Sequence, residues 1–564
     1  MTASQILHRP KIAASGSKVT AGEGIAMLIH HWGIHTVFGV ISIHNMPILD
    51  PLGRRGEVRY IAARGEAGAA NMADAYARVS GQLGVVFTST GTAAGNAAGA
   101  MVEALTAGSP VLHITGQVPS DHLGQDRAYI HEAPDQASML AAISKEAFTV
   151  SRPEDVLPTI AKAAKVALSA PTGPVSVEIT IDAQAGEIDL PEELPALDLP
   201  EPEIDAAVVE EIAQRLRGAR RPVILLGGGA RDADDAAQRL ADRGIAIVTS
   251  TNGRGIVDEQ HPMSLGAFNC TRELQAFYED CDLMVICGSR LRGNETWTYR
   301  LDLPSPRIVI DLDTGADGRT YDNDGFYAVD CRPLLEGLAE ALSDYEPASD
   351  YRDAVAVLKE TMRNGLAEDM QPYTPMVEAL QNAMPDSAAW VRDVTISNSM
   401  WGNRYLMLQH DRAGVHAVGG GIGQGLPMAI GAAFGNEAAG RSGGAIALSG
   451  DGGLNLCLGE LVTAVDEKAD LKLILMNDSG YGVIRNIQDA QYGGRKYYSN
   501  IKVPDFALVA QSIDLPHMRV AKIDDFDGVL RQALATPGPV MIEVDMTSIG
   551  HYSARFAGPP VRTS

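Results

Sequence analysis

The chain has 564 residues, 45% hydrophobic and 21% charged, with a formal net charge of -25 and a sequence pI near 4.9. The length predicts three or four domains, and the acidity excludes nucleic acid or an anionic membrane surface as a partner. Five scattered cysteines (Cys270, Cys281, Cys287, Cys331 and Cys457) without a CxxC give neither a zinc site nor a disulfide framework.

The N-terminal stretch MTASQILHRPKIAASGSK lacks the apolar core of a signal peptide. No apolar run approaches the roughly 20 residues of a membrane span. The expectation is a cytoplasmic protein. A first block, 18–185, alternates the apolar runs TVFGV, LGVVFTST, PVLHITG and PVSVEI with Ala-rich amphipathic stretches such as EAGAANMADAYARVSG. That alternation is the βαβα pattern of a parallel sheet. The acidic, proline-rich EIDLPEELPALDLPEPEID reads as a linker. A second block, 200–345, carries PVILLG, IAIVTS, LMVICG and RIVIDL, and the polar helical stretch 345–375 reads as a connector. A third block, 376–548, carries AIALSG, LKLILMN and PVMIEV, and 549–564 is a tail without periodicity, free to move. The fold class expected is α/β, with three consecutive parallel-sheet domains, of which the first and third could share a fold.

The chemistry concentrates in LSGDGGLNLCLGELVTAVDEKADLKLILMNDSGYG, residues 448–482. AIALSGD and LKLILMND read as strands with a helix between them, a right-handed parallel βαβ unit. Asp451 and Asp478, with 26 residues between them, then lie at the carboxyl ends of two parallel strands, where open α/β sheets bind ligands. Gly450, Gly452 and Gly453 allow a tight turn and a close approach, and the following helix suits phosphate. Two carboxylates would repel a phosphate. A hard divalent cation, taking carboxylate and carbonyl oxygens, removes that conflict. The reading is Mg²⁺–diphosphate, with a carbonyl of SGYG, that of Gly480, as a third ligand.

The GDGG…ND run resembles the signature of thiamine-diphosphate (ThDP) enzymes, a GDG followed by an asparagine pair. Asp478 stands on the second asparagine, a departure that adds a negative charge and should make binding more dependent on the cation. In the acetolactate synthase group a glutamate hydrogen-bonds the cofactor's aminopyrimidine within RHE.GAA.MADGYAR. Here the stretch is RGEAGAANMADAYAR, which gives Glu66, with Gly65 in place of the histidine. Alone, Glu66 is a helix N-terminal carboxylate favoured by the macrodipole. GGGIGQGLPMAIGAA resembles GTMGFGLPAAIGA, which places Ile422 as the wedge between the cofactor rings and the Gly420 carbonyl as acceptor for the aminopyrimidine. The resemblance runs from about residue 20 to 550. It implies three domains (pyrimidine-binding, middle and diphosphate-binding) in a homodimer or homotetramer, with active sites at the subunit interface.

The same resemblance narrows the chemistry. FGVISIHNMPILD replaces the family's Pro-Gly-Gly with Ile41, Ser42 and Ile43, followed by His44, and His131 stands where a substrate-side glutamine is usual. Both changes are similar to benzaldehyde lyase, and two imidazoles suit proton transfer. Ile487 replaces a tryptophan that shapes the acceptor pocket of acetolactate synthase, and Ser397 and Asn398 are candidate diphosphate donors. LLGGGARD is an incomplete dinucleotide fingerprint. FAD or ADP in the middle domain is possible but not expected, and Arg290 and Arg292 read as surface residues. The resemblance implies that Glu66 favours the imino tautomer, so that the thiazolium C2 adds to a carbonyl and a C–C bond beside it is made or broken. The substrates expected are 2-oxo acids, aldehydes or hydroxyketones. The activity is 2-oxo acid decarboxylation or carboligation; the alternatives are an acyloin lyase, a flavin-linked 2-oxo acid oxidase and a non-catalytic nucleotide- or ThDP-binding protein.

Overall fold

In a computed structural model that describes residues 18–558, the uninterrupted apolar runs become strands buried on both faces. The N-terminal residues 1–17, on which the leader reading largely rests, and the last six lie outside the described residues. The first sheet has six strands in the spatial order Arg59–Ala62, Thr36–Gly39, Gly84–Thr88, Val111–Gln117, Val175–Thr180 and Glu146–Val150. The third runs Gly414–His416, Ala389–Arg392, Ala445–Gly450, Leu471–Asn477, Val540–Asp545 and His517–Val520. Numbered along the chain within each sheet, both have the order 2-1-3-4-6-5 and every pairing is parallel. The first and third domains therefore share one topology. The middle sheet runs Ser264–Gly266, Ala246–Thr249, Pro222–Leu226, Leu283–Cys287, Arg307–Ile310 and Gly325–Tyr327, the doubly wound order 3-2-1-4-5-6.

The sequence pattern overlooks the edge strands. Arg59–Ala62, Glu146–Val150 and Gly325–Tyr327 are half-exposed and short, so no continuous apolar run marks them. It also overlooks the central strand Ala389–Arg392, which is buried throughout but ends in arginine.

The first and third domains share a core. Helices Glu66–Ser80 and Gly425–Ala438 lie side by side and point the same way, with Gly431 on Met72 and Gly435 on Tyr76 and Val79. A Cβ on Gly431 would overlap the Met72 carbonyl, so glycine is what lets the two helices touch. Their N-terminal ends, Glu66 and Gly425, fall at the same end of the pair.

Two connecting segments are more than linkers. Glu187–Asp189 pairs antiparallel with Lys18–Thr20, and the stretch after it buries Leu190 and Leu194 while Pro195 accepts from the Trp32 indole at 2.7 Å. Helix Tyr351–Asp369 belongs to the middle domain, where the Tyr351 hydroxyl donates to the Pro222 carbonyl at 2.6 Å. The described part of the tail, 549–558, packs on the chain. Ser553 and Ala554 donate backbone N–H groups to the carbonyls of Gln371 and Asp369, and the Ala557 carbonyl accepts from Gln491. Among the described residues no helix is long and apolar enough to cross a membrane.

Candidate active site

Strands Ala445–Gly450 and Leu471–Asn477 are adjacent and parallel, so their carboxyl ends bring Asp451 and Asp478 together. Asp451 is fully buried, and its two oxygens accept the N–H groups of Asp478 (3.2 Å) and Gly480 (2.7 Å). Burial first, and then the neighbouring Asp478 charge, push the Asp451 carboxyl up to about 7. Asp478 is mostly buried and pairs with Arg485 at 2.7 Å. Two carboxylates and backbone carbonyls are a hard-oxygen donor set that fits a divalent cation. Asn477 turns the other way and donates to Glu543 at 2.7 Å. The glycines make the approach possible: a Cβ on Gly452 would press on the Tyr481 ring, and one on Gly453 on the Asp393 carboxylate.

Asp393, invisible to motif reading, organises the neighbouring loop. It is buried, and one oxygen accepts the N–H groups of Val394 (2.7 Å) and Gly423 (3.0 Å). Burial raises it to about 6. It thereby ties the end of strand Ala389–Arg392 to the glycine loop that carries Gly420 and Ile422. Gly420 has φ +84, with open space where a side chain would be, and Ile422 is an exposed apolar residue.

Glu66 opens helix Glu66–Ser80, half-buried, and accepts from the Asn96 amide at 3.1 Å. The loop before it is held from the third domain, since the Glu460 carboxylate accepts the Arg64 N–H at 3.2 and 3.3 Å. The converse contact exists too. Glu103, buried in the first domain, accepts the N–H groups of Val418 and Gly419, each at 2.7 Å. Arg78, bidentate on Asp74, completes that grip by donating to Glu103 (3.0 Å) and to the His416 carbonyl (2.7 Å). Glu103 and Glu460 both lie on helices that follow the third strand of their sheets, so the clamps are reciprocal. Sequence reading missed both, because an acid within an amphipathic helix looks solvated until another domain covers it.

The two histidines meet. The His44 and His131 rings are 5.4 Å apart, edge to face, with His44 buried and its Nδ1 without a partner among the described residues. Burial, and then the neighbouring His131, lower the His44 pKa. His131 adopts φ +64, and its carbonyl lies against Gly91, where a Cβ would overlap it.

Ser397 and Asn398 are buried at the turn after Ala389–Arg392. The Ser397 hydroxyl accepts from Tyr552 of the tail at 2.8 Å, and the Asn398 carbonyl oxygen has no partner among the described residues. Ile487 is half-buried against Gly558 of the tail. In the middle domain, the Arg292 guanidinium donates to the Val418 carbonyl and Arg290 reaches that of Thr106 at 3.5 Å. Both arginines therefore face neighbouring domains.

Twin parallel-sheet domains with an acid pair and glycine turns at the strand ends of one, and a glutamate and imidazoles at those of the other, define a cofactor-dependent α/β enzyme. Residues 19–139 match the thiamine pyrophosphate enzyme N-terminal TPP binding domain, 209–338 the central domain and 396–544 the C-terminal TPP binding domain. The chain is 30% identical to the probable 2-ketoarginine decarboxylase AruI of Pseudomonas aeruginosa, over 93% of this chain and 94% of that protein. It is 27% identical to the probable acetolactate synthase large subunit of Methanocaldococcus jannaschii (93% and 91% covered). It is 26% identical to the acetolactate synthase isozyme 1 large subunit of Escherichia coli (94% and 96% covered). The chain belongs to the thiamine pyrophosphate enzyme family.

Proposed function

We propose that this protein is a ThDP- and Mg²⁺-dependent enzyme that decarboxylates a 2-oxo acid, joins the resulting fragment to a carbonyl acceptor, or does both. The convergence of Asp451 and Asp478 beside Gly450, Gly452 and Gly453 carries the reading, because it supplies a hard-cation and diphosphate site within a family of ThDP enzymes. The cofactor supplies a nucleophilic carbon and a sink for the electron pair released when a C–C bond breaks. Asp451, Asp478 and the Gly480 carbonyl would hold the magnesium ion, and Ser397 and Asn398 would donate to the diphosphate. Ile422 would lie against the cofactor rings, and the Gly420 carbonyl would accept from the aminopyrimidine. Glu66 holds and returns a proton at the pyrimidine ring. Ile487 lines the acceptor side.

The enzyme is a homodimer or homotetramer in which Glu66 of one subunit completes the acid-pair site of another. Exposed apolar residues at both half-sites support that assembly: Ile41, Ile43, Met46 and Ile130 in the first domain, and Ile422, Leu456 and Ile484 in the third. An acyloin lyase is the second reading, favoured by the contact between His44 and His131, in which the two imidazoles move a substrate hydroxyl proton. Purified protein with ThDP and Mg²⁺ is offered 2-oxo acids with aliphatic, aromatic and guanidino side chains, and hydroxyketones. Products are read by proton NMR and CO₂ release. Turnover of an oxo acid is expected; cleavage of hydroxyketones alone makes the protein a lyase; failure to bind ThDP overturns the proposal.

A further inference from the structure

The resemblance puts an asparagine where this chain has Asp478, and an extra buried carboxylate beside Asp451 should overload the site with negative charge. The structure contains the compensation. Arg485, one helical turn into Gly482–Gln491, places Nη2 at 2.7 Å from Asp478 Oδ2, with side-chain exposures of 18% and 11% for the pair. Exposed ion pairs contribute little, but this one is largely shielded and geometrically fixed. The same guanidinium donates to the Asp478 carbonyl at 2.6 Å, the Ser479 carbonyl at 3.2 Å and the Asn500 side chain at 3.4 Å. It therefore also secures a turn in which Ser479 adopts φ +59.

We propose that Arg485 is a built-in counter-charge that gives the Asp451–Asp478 pair the net charge of an aspartate–asparagine pair, so that the departure does not raise cation affinity. With both carboxylates ionised, as cation binding requires, Asp451, Asp478 and Arg485 together carry one negative charge, as an ionised aspartate beside an asparagine would. This counter-charge competes with the expectation that the extra carboxylate makes binding more cation-dependent, and Mn²⁺ affinity decides between the two. Arg485 is a positioning residue: it acts on the cation through Asp478. The inference rests on the divalent-cation reading of the site.

The test is Mn²⁺ binding read by electron paramagnetic resonance at saturating ThDP, in the full-length protein. R485Q leaves two uncompensated carboxylates and should tighten Mn²⁺ on the order of tenfold, as expected for a unit charge a few ångströms away. D478N should weaken Mn²⁺ by a similar factor, and the double variant R485Q/D478N should return to within about threefold of the parent. R485K keeps the charge and should also stay within about threefold, which separates charge from hydrogen-bond geometry. Near-ultraviolet circular dichroism and unchanged Mn²⁺ stoichiometry confirm that each variant folds. If the parent binds Mn²⁺ and R485Q binds it equally or more weakly, the counter-charge is wrong while the metal site stands. If the parent binds no Mn²⁺, the metal reading falls and this proposal with it. Should R485Q fail to fold, R485K and D478N decide: weakening in the first, or tightening in the second, overturns the proposal.

Discussion

The first and third domains have the same strand order and pack together the equivalent helices that follow their second strands, yet the ends of their sheets carry different chemistry. After the third strand the first domain has Ser89 and Thr90, and the third domain has Asp451 and Gly452. After the fourth strand the pair is Val118 and Asp478. In the proposed function, residues at the strand ends of the first domain (Glu66, His44 and His131) would handle protons, and those of the third (Asp451 and Asp478) would hold a cation. The scaffold is common and the function is grafted onto it.

Separating the two roles is the sharpest way to break that comparison. Asp451→Ala should abolish cofactor retention and lower activity on the order of 10³-fold or more, because several kcal/mol of metal binding vanish; calorimetric titration with ThDP checks the cause. Glu66→Gln should lower kcat about 10²–10⁴-fold while ThDP affinity stays near the parent value. If both variants lost the cofactor alike, the division of labour would be wrong. Gly431→Val forces a side chain into the Met72 carbonyl and should cost about 1–3 kcal/mol, or more. Thermal unfolding should then show both domains weakened in one transition, since they share a core.

The reciprocal clamps predict a smaller, directional split. Glu103→Gln should fall mainly on ThDP affinity, because Glu103 holds the loop of Gly420 and Ile422. Glu460→Gln should fall mainly on kcat, because Glu460 holds the loop before Glu66. Each is expected at about tenfold, and equal effects on both parameters would dissolve the distinction. The smallest effect concerns pH. His44 is held below the ordinary histidine value by burial and by His131, so its neutral form persists as pH falls. Its contribution to stability is present above its unfolded pKa of about 6.5 and declines as pH falls toward the lower folded value. His131→Phe removes the like charge. The acid limb of kcat/KM should then move to higher pH, by about one unit at most.

How much was legible follows from where each residue sits. Strands buried on both faces announced themselves: PVILLG, LMVICG, AIALSG and LKLILMN are central strands in the structure. Edges such as Gly414–His416 and His517–Val520 stayed hidden, because one side of an edge strand needs no apolar partner. The GDGG…ND spacing identified the acid pair because local βαβ geometry carries both aspartates to one place. Glu66 and Ile422 came from the likeness of their stretches to a family, since each alone is an ordinary helix-entry carboxylate or loop residue.

Short-range pattern by itself determined the α/β class, the order of the three domains and the position of the acid pair, because apolar periodicity and strand–turn–helix chemistry are local. Only the tertiary structure decided that Arg485 pairs with Asp478, that Asp393 ties the glycine loop and that His44 meets His131. It alone paired Glu103 and Glu460 with loops 315 and 396 residues away. Such contacts depend on which surfaces two domains bury against each other, and no run of neighbouring residues encodes that.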